Sequence, residues 1–305
     1  MNSFQIRISD EVGTALSQHK PVVALESTIF SHLGLPSPAN FEALTRCTAA
    51  LRSHGVVPAI TAVLDGVARV GIDESEWPLI LGPAKKVGER ELATAMAAKW
   101  PVGATTVSSS LLLAARAGIR VFSTGGIGGV HRGAENSGDI SSDLGAIAEH
   151  HVVTVCAGAK SFLDLPRTLE YLETLSVPVL GLGCDFFPEF TVEHGDLKIP
   201  ARVETIKELA EIVRANDALG RNGGILACVP VPKKDSLLKS FMDDITATAL
   251  KDASKQGITG AAVTPFVLKF IANATQDASV KANLSLAENN ALTAAQLAVE
   301  LSIAQ

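Results

Sequence analysis

Short runs of β-branched and other apolar residues alternate along the chain with longer segments whose apolar positions recur every three or four residues. The short runs predict strands at residues 21–25, 57–64, 67–71, 120–122, 152–156, 177–182 and 224–229. The longer segments predict amphipathic helices at residues 40–54, 108–117, 142–150, 161–174 and 203–218. Two continuous apolar runs, VVTVCAGA and VPVLGLG, are typical of strands in the interior of a sheet.

Strands that alternate with helices need crossover connections, which predict a mostly parallel sheet covered on both faces. From about residue 235 the pattern becomes helical, with long Ala- and Leu-rich segments at 236–256 and 284–303. No internal repeat and no Pro-, Gly- or Ser-rich linker divides the chain. We therefore expect one domain over residues 1–305, with an α/β fold: a three-layer α/β/α sandwich with a largely parallel mixed sheet and a helical C-terminal part.

Composition and charge restrict the partners of this fold. With 47% hydrophobic and 19% charged residues among 305, the chain has enough apolar surface to fold. A net charge of −6 and 5% aromatic residues argue against binding to a nucleic-acid polymer. We expect no membrane span and a cytoplasmic location, because no long apolar window and no signal-like N-terminal core occur. The scattered Cys47, Cys156, Cys184 and Cys228 predict free thiols.

A glycine-rich segment, TGGIGGVH, runs from Thr124 to His131 after a predicted strand. A dinucleotide-binding fingerprint would need a third glycine where His131 stands, so that interpretation is disfavoured. Two interpretations stay open. The segment is either a tight turn whose glycines adopt positive φ, or a loop whose backbone N–H groups bind an anion.

Two ionisable residues, Lys160 and Glu26, stand at predicted strand ends. The segment VCAGAKS lacks the glycines of a phosphate-binding P-loop, which leaves Lys160 as a lysine just after a buried strand. Such a lysine is either partly desolvated, with the lowered pKa that suits a nucleophile, or an ordinary solvated side chain. Glu26 is likewise either a helix-capping partner or an acid/base group.

Hydroxyl and carboxylate groups precede two predicted helices. Thr105 and Thr106 either cap the first of these helices or hold a phosphate. In DISSD, Asp139 and Asp143 stand four residues apart and either ligate a hard cation or cap the second helix. No His or Cys stands at short spacing from them, which argues against zinc. The Gly-x-Ser-x-Gly segment of esterases is also missing from the sequence.

Six segments carry a resemblance to a known family: PVVALESTIFSH, GATTVSSSLLLAARAGIRVFSTGGIGGVHRGAE, DISSDL, VVTVCAGAKSFLDLPRTLEYLET, NGGILACVPVP and VTPFVL. In this order they resemble the pseudouridine-5′-phosphate glycosidases, a family that includes the protein named for indigoidine synthesis. The resemblance runs from about residue 20 to residue 300. Its strings TGGIGGVHRGAE and CAGAKSFLDLP are long and specific.

The resemblance implies reversible cleavage of pseudouridine 5′-phosphate to uracil and ribose 5-phosphate. The reaction would proceed through a lysine Schiff base with a ring-opened ribose, aided by Mn²⁺ or another divalent cation. By motif, Lys160 matches the covalent nucleophile, Glu26 the proton donor and Asp139 the metal ligand. The resemblance also implies a three-layer α/β/α fold and a homotrimer. The positions that match substrate-contacting or pocket residues are Lys86, Val107, His131, Ser141, Ser142, Asp143 and Asn283.

Two further expectations concern charge at this site. A bound phosphate would raise the pKa of Lys160, so we expect it to lie nearer Lys86 and the hydroxyls of Thr106 and Thr124. We expect Asp139 to be the one direct protein ligand of the cation, with waters linking it to Asp143. If that stretch is helical, the two carboxylates share one face.

Three segments depart from the family pattern: KVGERE, SHLGLPSPAN and GLGCDFFPEF. None of them contains Lys160, Glu26 or Asp139. The departures around Lys86 and Leu33 leave room for a related C-glycosidase that acts on another C-nucleotide or pentose phosphate. A non-catalytic phosphosugar-binding paralogue is the other alternative, although mere binding would need neither Lys160 nor Glu26.

Overall fold

The computed structural model describes residues 5–303. These residues form a mixed sheet of eleven strands. In chain order the strands are β1 (Ile6–Ile8), β2 (Val22–Leu25), β3 (Val57–Leu64), β4 (Val67–Val70), β5 (Lys85–Val87), β6 (Val102–Thr105), β7 (Val121–Ser123), β8 (Val153–Cys156), β9 (Val179–Leu182), β10 (Ala201–Val203) and β11 (Ile225–Cys228). Their spatial order is β1-β4-β3-β2-β7-β8-β11-β9-β10, and β6 pairs with β3 and β5. Antiparallel pairing occurs at β3–β4 and β3–β6, and the other pairs are parallel.

The same residues contain twelve α-helices, of which the first nine lie between strands and the last three follow β11. They are α1 (Asp10–Ser17), α2 (Ala39–Arg52), α3 (Trp77–Leu81), α4 (Glu89–Ala97), α5 (Val107–Ala117), α6 (Ala134–Ser137), α7 (Ser142–Glu149), α8 (Leu165–Thr174), α9 (Ile206–Ala218), α10 (Lys239–Lys255), α11 (Val263–Ala274) and α12 (Ala278–Ser302). None of them is both long enough and apolar enough to cross a bilayer.

Two separate apolar cores lie on the two faces of the sheet. On one face, Ala24 of β2 and Cys156 of β8 belong to a core shared with α5 and α7. On the other face, Val23 of β2 and Val155 of β8 pack with α2, α9 and α12. Both cores draw on the same strands because successive strand side chains point to opposite faces. The predicted three-layer α/β/α sandwich, with its largely parallel mixed sheet, is confirmed.

The strands predicted to lie in the interior of the sheet do so. β8 is placed between β7 and β11, and β9 between β11 and β10. Every residue of β2 and of β8 is buried, which explains why both are continuous apolar runs rather than alternating ones. The four cysteines are free and buried, as predicted.

Several predicted helices are confirmed with shifted ends. The helix predicted at 161–174 begins at Leu165, because the Asp164 carboxylate accepts the backbone N–H of Arg167 at 3.1 Å and so caps it there. The helix predicted at 236–256 begins at Lys239, and the one predicted at 284–303 extends back to Ala278. This last helix, α12, packs along α2 and against β7 and β8. The first four and last two residues of the predicted domain lie outside the described part of the chain.

Candidate active site

Three polar residues follow neighbouring parallel strands in the middle of the sheet. Glu26 comes directly after β2, Thr124 directly after β7, and Lys160 four residues after the end of β8. These strands are adjacent in the order β2-β7-β8. Because they are parallel, their carboxyl ends lie at the same edge, which is where open α/β sheets bind ligands.

The glycine-rich segment after β7 runs beside the segment that carries Lys160. The N–H of Ala157 donates to the carbonyl of Gly125 at 2.9 Å, and the N–H of Ile127 donates to the carbonyl of Gly158 at 3.0 Å. The N–H of Lys160 in turn donates to the Ile127 carbonyl at 3.2 Å. The pairing of β7 with β8 therefore continues past both strand ends and fixes the backbone of Lys160.

Close packing explains the glycines of this segment. A Cβ at Gly126 would lie 2.7 Å from a ring carbon of Phe190, and one at Gly128 would lie 2.3 Å from the Ser141 hydroxyl oxygen. Neither glycine has a positive φ, so the interpretation as a positive-φ turn is wrong for both. The other interpretation is a loop whose N–H groups bind an anion. The N–H of Gly128 does donate a hydrogen bond to an anionic group, which is the carboxylate of Asp143, at 2.8 Å.

Lys160 is a largely buried amine. Its Nζ donates to the carbonyl oxygen of Gly126 at 2.8 Å. Burial lowers the pKa of Lys160, and the negative charges of Glu26 and Asp143 oppose that effect. Of the two sequence interpretations, the desolvated lysine is therefore favoured over the solvated one. A lowered pKa increases the fraction of neutral, nucleophilic amine at physiological pH.

Glu26 is a buried carboxyl, 7% exposed, and it accepts a hydrogen bond from the Thr124 hydroxyl. Burial raises the pKa of Glu26 to about 7, although the positive charge of Lys160 and the Thr124 hydrogen bond act in the opposite direction. A carboxyl with a pKa near 7 can both donate and accept a proton at neutral pH. This favours the acid/base interpretation of Glu26 over helix capping.

Asp143 uses both carboxylate oxygens to hold the backbone around the site. Its Oδ1 accepts the N–H of Ser108 at 3.1 Å, and its Oδ2 accepts the N–H of Gly128. The N–H of Asp143 donates to the hydroxyl of Ser141, the N-cap of α7, at 3.3 Å. One buried carboxylate thus joins α5, α7 and the glycine-rich segment.

The first residues of α5 border the site on the side of β6. The hydroxyls of Thr106 and Ser142 each lie 3.1 Å from the hydroxyl oxygen of Ser108. Val107 has its side chain in the core, 2% exposed, so it offers a ligand its backbone rather than its side chain. Thr105 neither caps α5 nor faces a phosphate, because its hydroxyl is buried and donates to the carbonyl of Thr61 at 2.7 Å.

Lys86 lies close enough to act on the charges of Glu26 and Lys160, and His131 lies close enough to be affected by Lys160. Burial lowers the pKa of His131, the Asp139 carboxylate opposes this, and the charges of Lys86 and Lys160 add to it. Lys86 is an exposed residue of β5, and its charge also acts on Glu26. The site therefore contains two lysines, of which Lys160 is buried and Lys86 is open to solvent.

Asp139 precedes α7 rather than forming part of it. Helix α7 begins at Ser142, so Asp139 and Asp143 do not share a helix face. The Asp139 carboxylate is 34% exposed and lies 3.9 Å from Nδ1 of His131. Within residues 5–303, no side-chain donor is hydrogen-bonded to this carboxylate, which leaves its oxygens available to a ligand.

Two asparagines of α12 approach the glycine-rich segment. The Nδ2 of Asn290 donates to the carbonyl of Thr124 at 2.8 Å and to that of Gly125 at 3.1 Å. Asn283 is 7% exposed, and its amide oxygen is buried without a hydrogen-bond partner in the described chain. A Cβ at Gly125 would lie 3.3 Å from that oxygen. The sequence analysis missed Asn290, although two asparagines directly before the ALTAA run of the predicted helix were the available signal.

A separate group of candidate metal ligands lies away from Asp139. Glu89 of α4, Glu149 of α7 and His150 each offer a ligand atom, and these atoms lie within 4.8 Å of one another. Nε2 of His150 is already 3.1 Å from the Glu89 carboxylate. Asp139 belongs to no group of three such ligands among residues 5–303.

Comparisons with known proteins show which family the whole chain is similar to. Residues 11–300 match the family described as indigoidine synthase A like protein. Pseudouridine-5′-phosphate glycosidases of Caldanaerobacter subterraneus subsp. tengcongensis and Geobacillus kaustophilus are 45% and 46% identical to this chain. Each match covers 99% of this chain and, respectively, 98% and 100% of the relative.

A solved structure extends the comparison to the fold. The prealnumycin C-glycosynthase AlnA, in complex with ribulose 5-phosphate, has a TM-score of 0.90 and 34% sequence identity. The match covers 99% of this chain and 98% of AlnA. The α/β fold, with helices on both sides of a mostly parallel sheet, is therefore shared with a protein that makes C-glycosides.

Proposed function

This chain belongs to the indigoidine synthase A like protein family, and from that premise we propose that it cleaves pseudouridine 5′-phosphate reversibly into uracil and ribose 5-phosphate. The protein is an enzyme, as are the relatives that match its whole length. The observation that carries the proposal is the pair of Lys160 and Glu26, which follow β8 and β2 on either side of β7. Burial raises the pKa of the carboxyl and lowers that of the amine.

The substrate explains why a lysine is needed. Pseudouridine joins ribose to uracil through a carbon–carbon bond. Protonating an oxygen or nitrogen leaving group, as ordinary glycosidases do with two carboxylates, therefore does not suffice. An amine bonded to the anomeric carbon supplies an electron pair that expels a carbon leaving group.

The proposed reaction has three steps. Neutral Lys160 attacks C1′, and the new C1′–N bond forms as the C1′–O4′ bond breaks and O4′ takes the proton that the attacking amine loses. The nitrogen lone pair then forms a C1′=N bond while the bond to uracil C5 breaks, and C5 takes a proton from Glu26. Water adds to this Schiff base, releases ribose 5-phosphate and regenerates the amine, and the surplus proton returns to Glu26.

The remaining pocket residues would hold the two ends of the substrate. We assign the phosphate to Lys86, the Thr106 hydroxyl and the N–H of Val107, because helix N-termini and lysines attract phosphate. The Thr124 hydroxyl donates to Glu26, so we assign it to the carboxyl rather than to the phosphate. The unpaired amide oxygen of Asn283 suits an N–H group of uracil.

Three residues near the mouth of the site complete the assigned pocket. His131 has a pKa lowered by burial, so its neutral ring can accept or donate a hydrogen bond. The hydroxyls of Ser141 and Ser142 lie at the N-terminus of α7, where backbone N–H groups favour an anion. All three side chains are neutral, so they would orient the ribose hydroxyls and phosphate without changing the charge of the site.

Ultraviolet absorbance monitors the release of uracil and so tests which substrate the enzyme cleaves. Pseudouridine 5′-phosphate should be cleaved far faster than uridine 5′-phosphate or unphosphorylated pseudouridine. A preference for uridine 5′-phosphate would show that the carbon–carbon bond is not the target.

The same assay separates a second candidate function. The likeness to AlnA and the altered segments around Lys86 and Leu33 favour a related C-glycosidase that acts on another C-nucleotide or pentose phosphate. Preference for such a compound would establish that candidate. Binding of ribose 5-phosphate without any turnover would instead indicate a non-catalytic phosphosugar-binding protein.

The donor set at Asp139 fits a hard divalent cation such as Mn²⁺. Its carboxylate oxygens are partly exposed and free of side-chain donors in the described chain, and hydroxyls of Ser141 and Ser142 lie nearby in sequence. Asp143 fits less well, because both of its oxygens already accept backbone N–H groups. Such a cation would offset the negative charge of the substrate phosphate.

Replacing Asp139 with alanine should lower the affinity for Mn²⁺ at least about tenfold and abolish stimulation by the metal. The melting temperature should change little, because the side chain is partly exposed and holds no helix. Mn²⁺ binding followed by electron paramagnetic resonance, together with uracil release, measures both effects.

The matched control for this prediction is Glu89→Gln, which alters the other candidate group while keeping the shape of the side chain. It should leave Mn²⁺ affinity and stimulation unchanged. If Glu89→Gln rather than Asp139→Ala loses the metal, the cation belongs to the group formed by Glu89, Glu149 and His150.

We also propose that the enzyme is a homotrimer, the assembly that the family resemblance implies. Several large apolar side chains are exposed in the single chain and offer surface for such an assembly: Phe41, Leu79, Leu219, Leu238 and Phe241. Light scattering should give the mass of three chains, and a stable monomer would exclude the assembly.

A further inference from the structure

Four buried hydroxyl groups gather around the residues that flank Glu26 in the chain. They belong to Ser27 after β2, Thr61 of β3, Thr105 of β6 and Ser110 of α5, and each of these residues is fully buried at 0% exposure. We call this set the hydroxyl cluster. Polar groups removed from water destabilise a fold unless they are hydrogen-bonded, so four of them in one place need a structural reason.

Thr105 is the centre of the hydroxyl cluster. Its Oγ1 lies 2.8 Å from Oγ1 of Thr61 and 3.1 Å from Oγ of Ser27, and it donates to the Thr61 carbonyl at 2.7 Å. The N–H of Thr105 donates to Oγ of Ser27 at 2.9 Å. Thr61 in turn donates to Oγ of Ser110 at 2.8 Å. The cluster is thus a connected network that joins β2, β3, β6 and α5.

This network holds the chain on both sides of Glu26. Before it, the carbonyl of Leu25 lies 3.2 Å from the Thr61 hydroxyl, and after it the N–H of Ser27 donates to Oγ1 of Thr105 at 3.3 Å. The N–H and the hydroxyl of Thr28 both donate to the Thr105 carbonyl, at 3.0 and 2.6 Å.

Regular strand pairing does not hold the backbone at Glu26. The ladder between β2 and its neighbours ends at Leu25, which pairs with Ile60 and Ser123. Glu26 is therefore the first residue after regular pairing stops, and the hydroxyl cluster replaces the missing ladder bonds. An acid/base group needs such support, because a displacement of about 1 Å can reduce the rate about 10²-fold.

We propose that the hydroxyl cluster, centred on Thr105, positions the Glu26 carboxyl for proton transfer. None of its members touches the substrate in the pocket assigned above, so Thr105 is a positioning residue rather than a catalytic one. The inference rests on the proposed function, in which Glu26 donates and accepts the protons of the reaction.

The test is Thr105→Val, which keeps the shape of the side chain and removes the hydroxyl. We expect kcat for uracil release to fall about 10²-fold while KM changes less than about threefold. We also expect the limb of the pH profile that reports Glu26 to move. The charged groups that act on Glu26 are Lys160, Asp143 and Lys86, and the substitution alters none of them.

Two further variants separate positioning from general stability. Thr105→Ser retains the hydroxyl and should restore most of kcat. Thr154→Val removes a hydroxyl that is equally buried, on β8, but has no hydrogen-bond partner in the described chain, and it should leave kcat within about twofold. If Thr105→Val does not fold, Ser27→Ala removes the neighbouring member of the cluster and gives the same readout.

The outcomes are distinct. An active wild-type enzyme whose Thr105→Val variant keeps its kcat and pH profile would overturn the proposal and leave the function standing. A loss of kcat that Thr105→Ser does not restore, with an unchanged pH profile, would also overturn it. If the wild-type enzyme releases no uracil, the proposed function itself fails.

Discussion

Replacing Lys160 with methionine is expected to lower kcat for uracil release by at least about 10⁴-fold, because it removes the only group assigned to bond with C1′. Methionine fills a similar volume, so the loss should not come from a cavity. The Lys160→Met enzyme should also have a melting temperature at least equal to that of the wild type, because a desolvated amine is replaced by an apolar side chain. Steady-state kinetics and thermal unfolding measure the two effects.

Two lysine variants make this prediction specific. Lys160→Arg keeps a positive charge and a donor for the Gly126 carbonyl, but its guanidinium stays protonated and cannot attack, so it should be as inactive as Lys160→Met. Lys86→Met should instead raise KM while retaining a measurable kcat, because Lys86 is assigned to the phosphate. A Lys160→Met enzyme with more than a tenth of the wild-type kcat would contradict a covalent role for Lys160.

The Glu26→Gln variant is expected to lose between about 10² and 10⁴ in kcat, the usual contribution of a positioned acid/base group. In the wild type, a carboxyl with a pKa of about 7 should produce a limb of the kcat/KM profile near pH 7. Rates fall there as pH rises, because the proton donor is lost. Glutamine cannot titrate, so this limb should be missing from the variant between pH 5 and 9.

Stability provides the control for Glu26→Gln. The pKa of Glu26 is raised on folding from 4.5 to about 7, so the carboxylate destabilises the folded state as pH rises through this window. Above pH 7 the ionised carboxyl lowers the free energy of unfolding by roughly 3 kcal/mol, and below pH 4.5 this loss vanishes. Glu26→Gln should therefore unfold at a higher temperature than the wild type at pH 8 but not at pH 4. If the variant and the wild type unfold at the same temperature at both pH 8 and pH 4, the raised pKa of Glu26 is contradicted.

Most buried strands could be predicted from the sequence, whereas exposed edge strands could not. The buried strand β6 was missed, because its short VGAT segment contains only one large apolar side chain. β3 has the predicted bounds, because eight consecutive residues of mostly apolar and β-branched character fit only a buried strand. β1, β5 and β10 are three residues long and mostly exposed, so neither alternation nor an apolar run marks them. They form because each can pair with the free edge of another strand. That edge depends on the three-dimensional arrangement of the strands, which the local sequence does not reveal.

The candidate site, too, could be predicted from the sequence only in part. Glu26 and Lys160 could be named as candidates from the sequence, because polar residues after buried parallel strands converge at one edge. Their catalytic roles were implied only by the family resemblance. Their partners could not be predicted, because each hydrogen bond joins distant parts of the chain. Asp143 accepts two backbone N–H groups, and the Thr105 hydroxyl belongs to the cluster around the residues that flank Glu26. Asn290 reaches the glycine-rich segment from a helix at the other end of the chain.

Reduction with borohydride during turnover tests whether Lys160 forms a Schiff base with the substrate. The wild-type enzyme is mixed with pseudouridine 5′-phosphate, the imine is reduced, and the digested protein is examined by peptide mass. We expect one reduced pentose phosphate per chain, attached to Lys160 and missing from the Lys160→Met and Lys160→Arg variants. Uracil release without any adduct, or an adduct on Lys86 in its place, would contradict this role of Lys160.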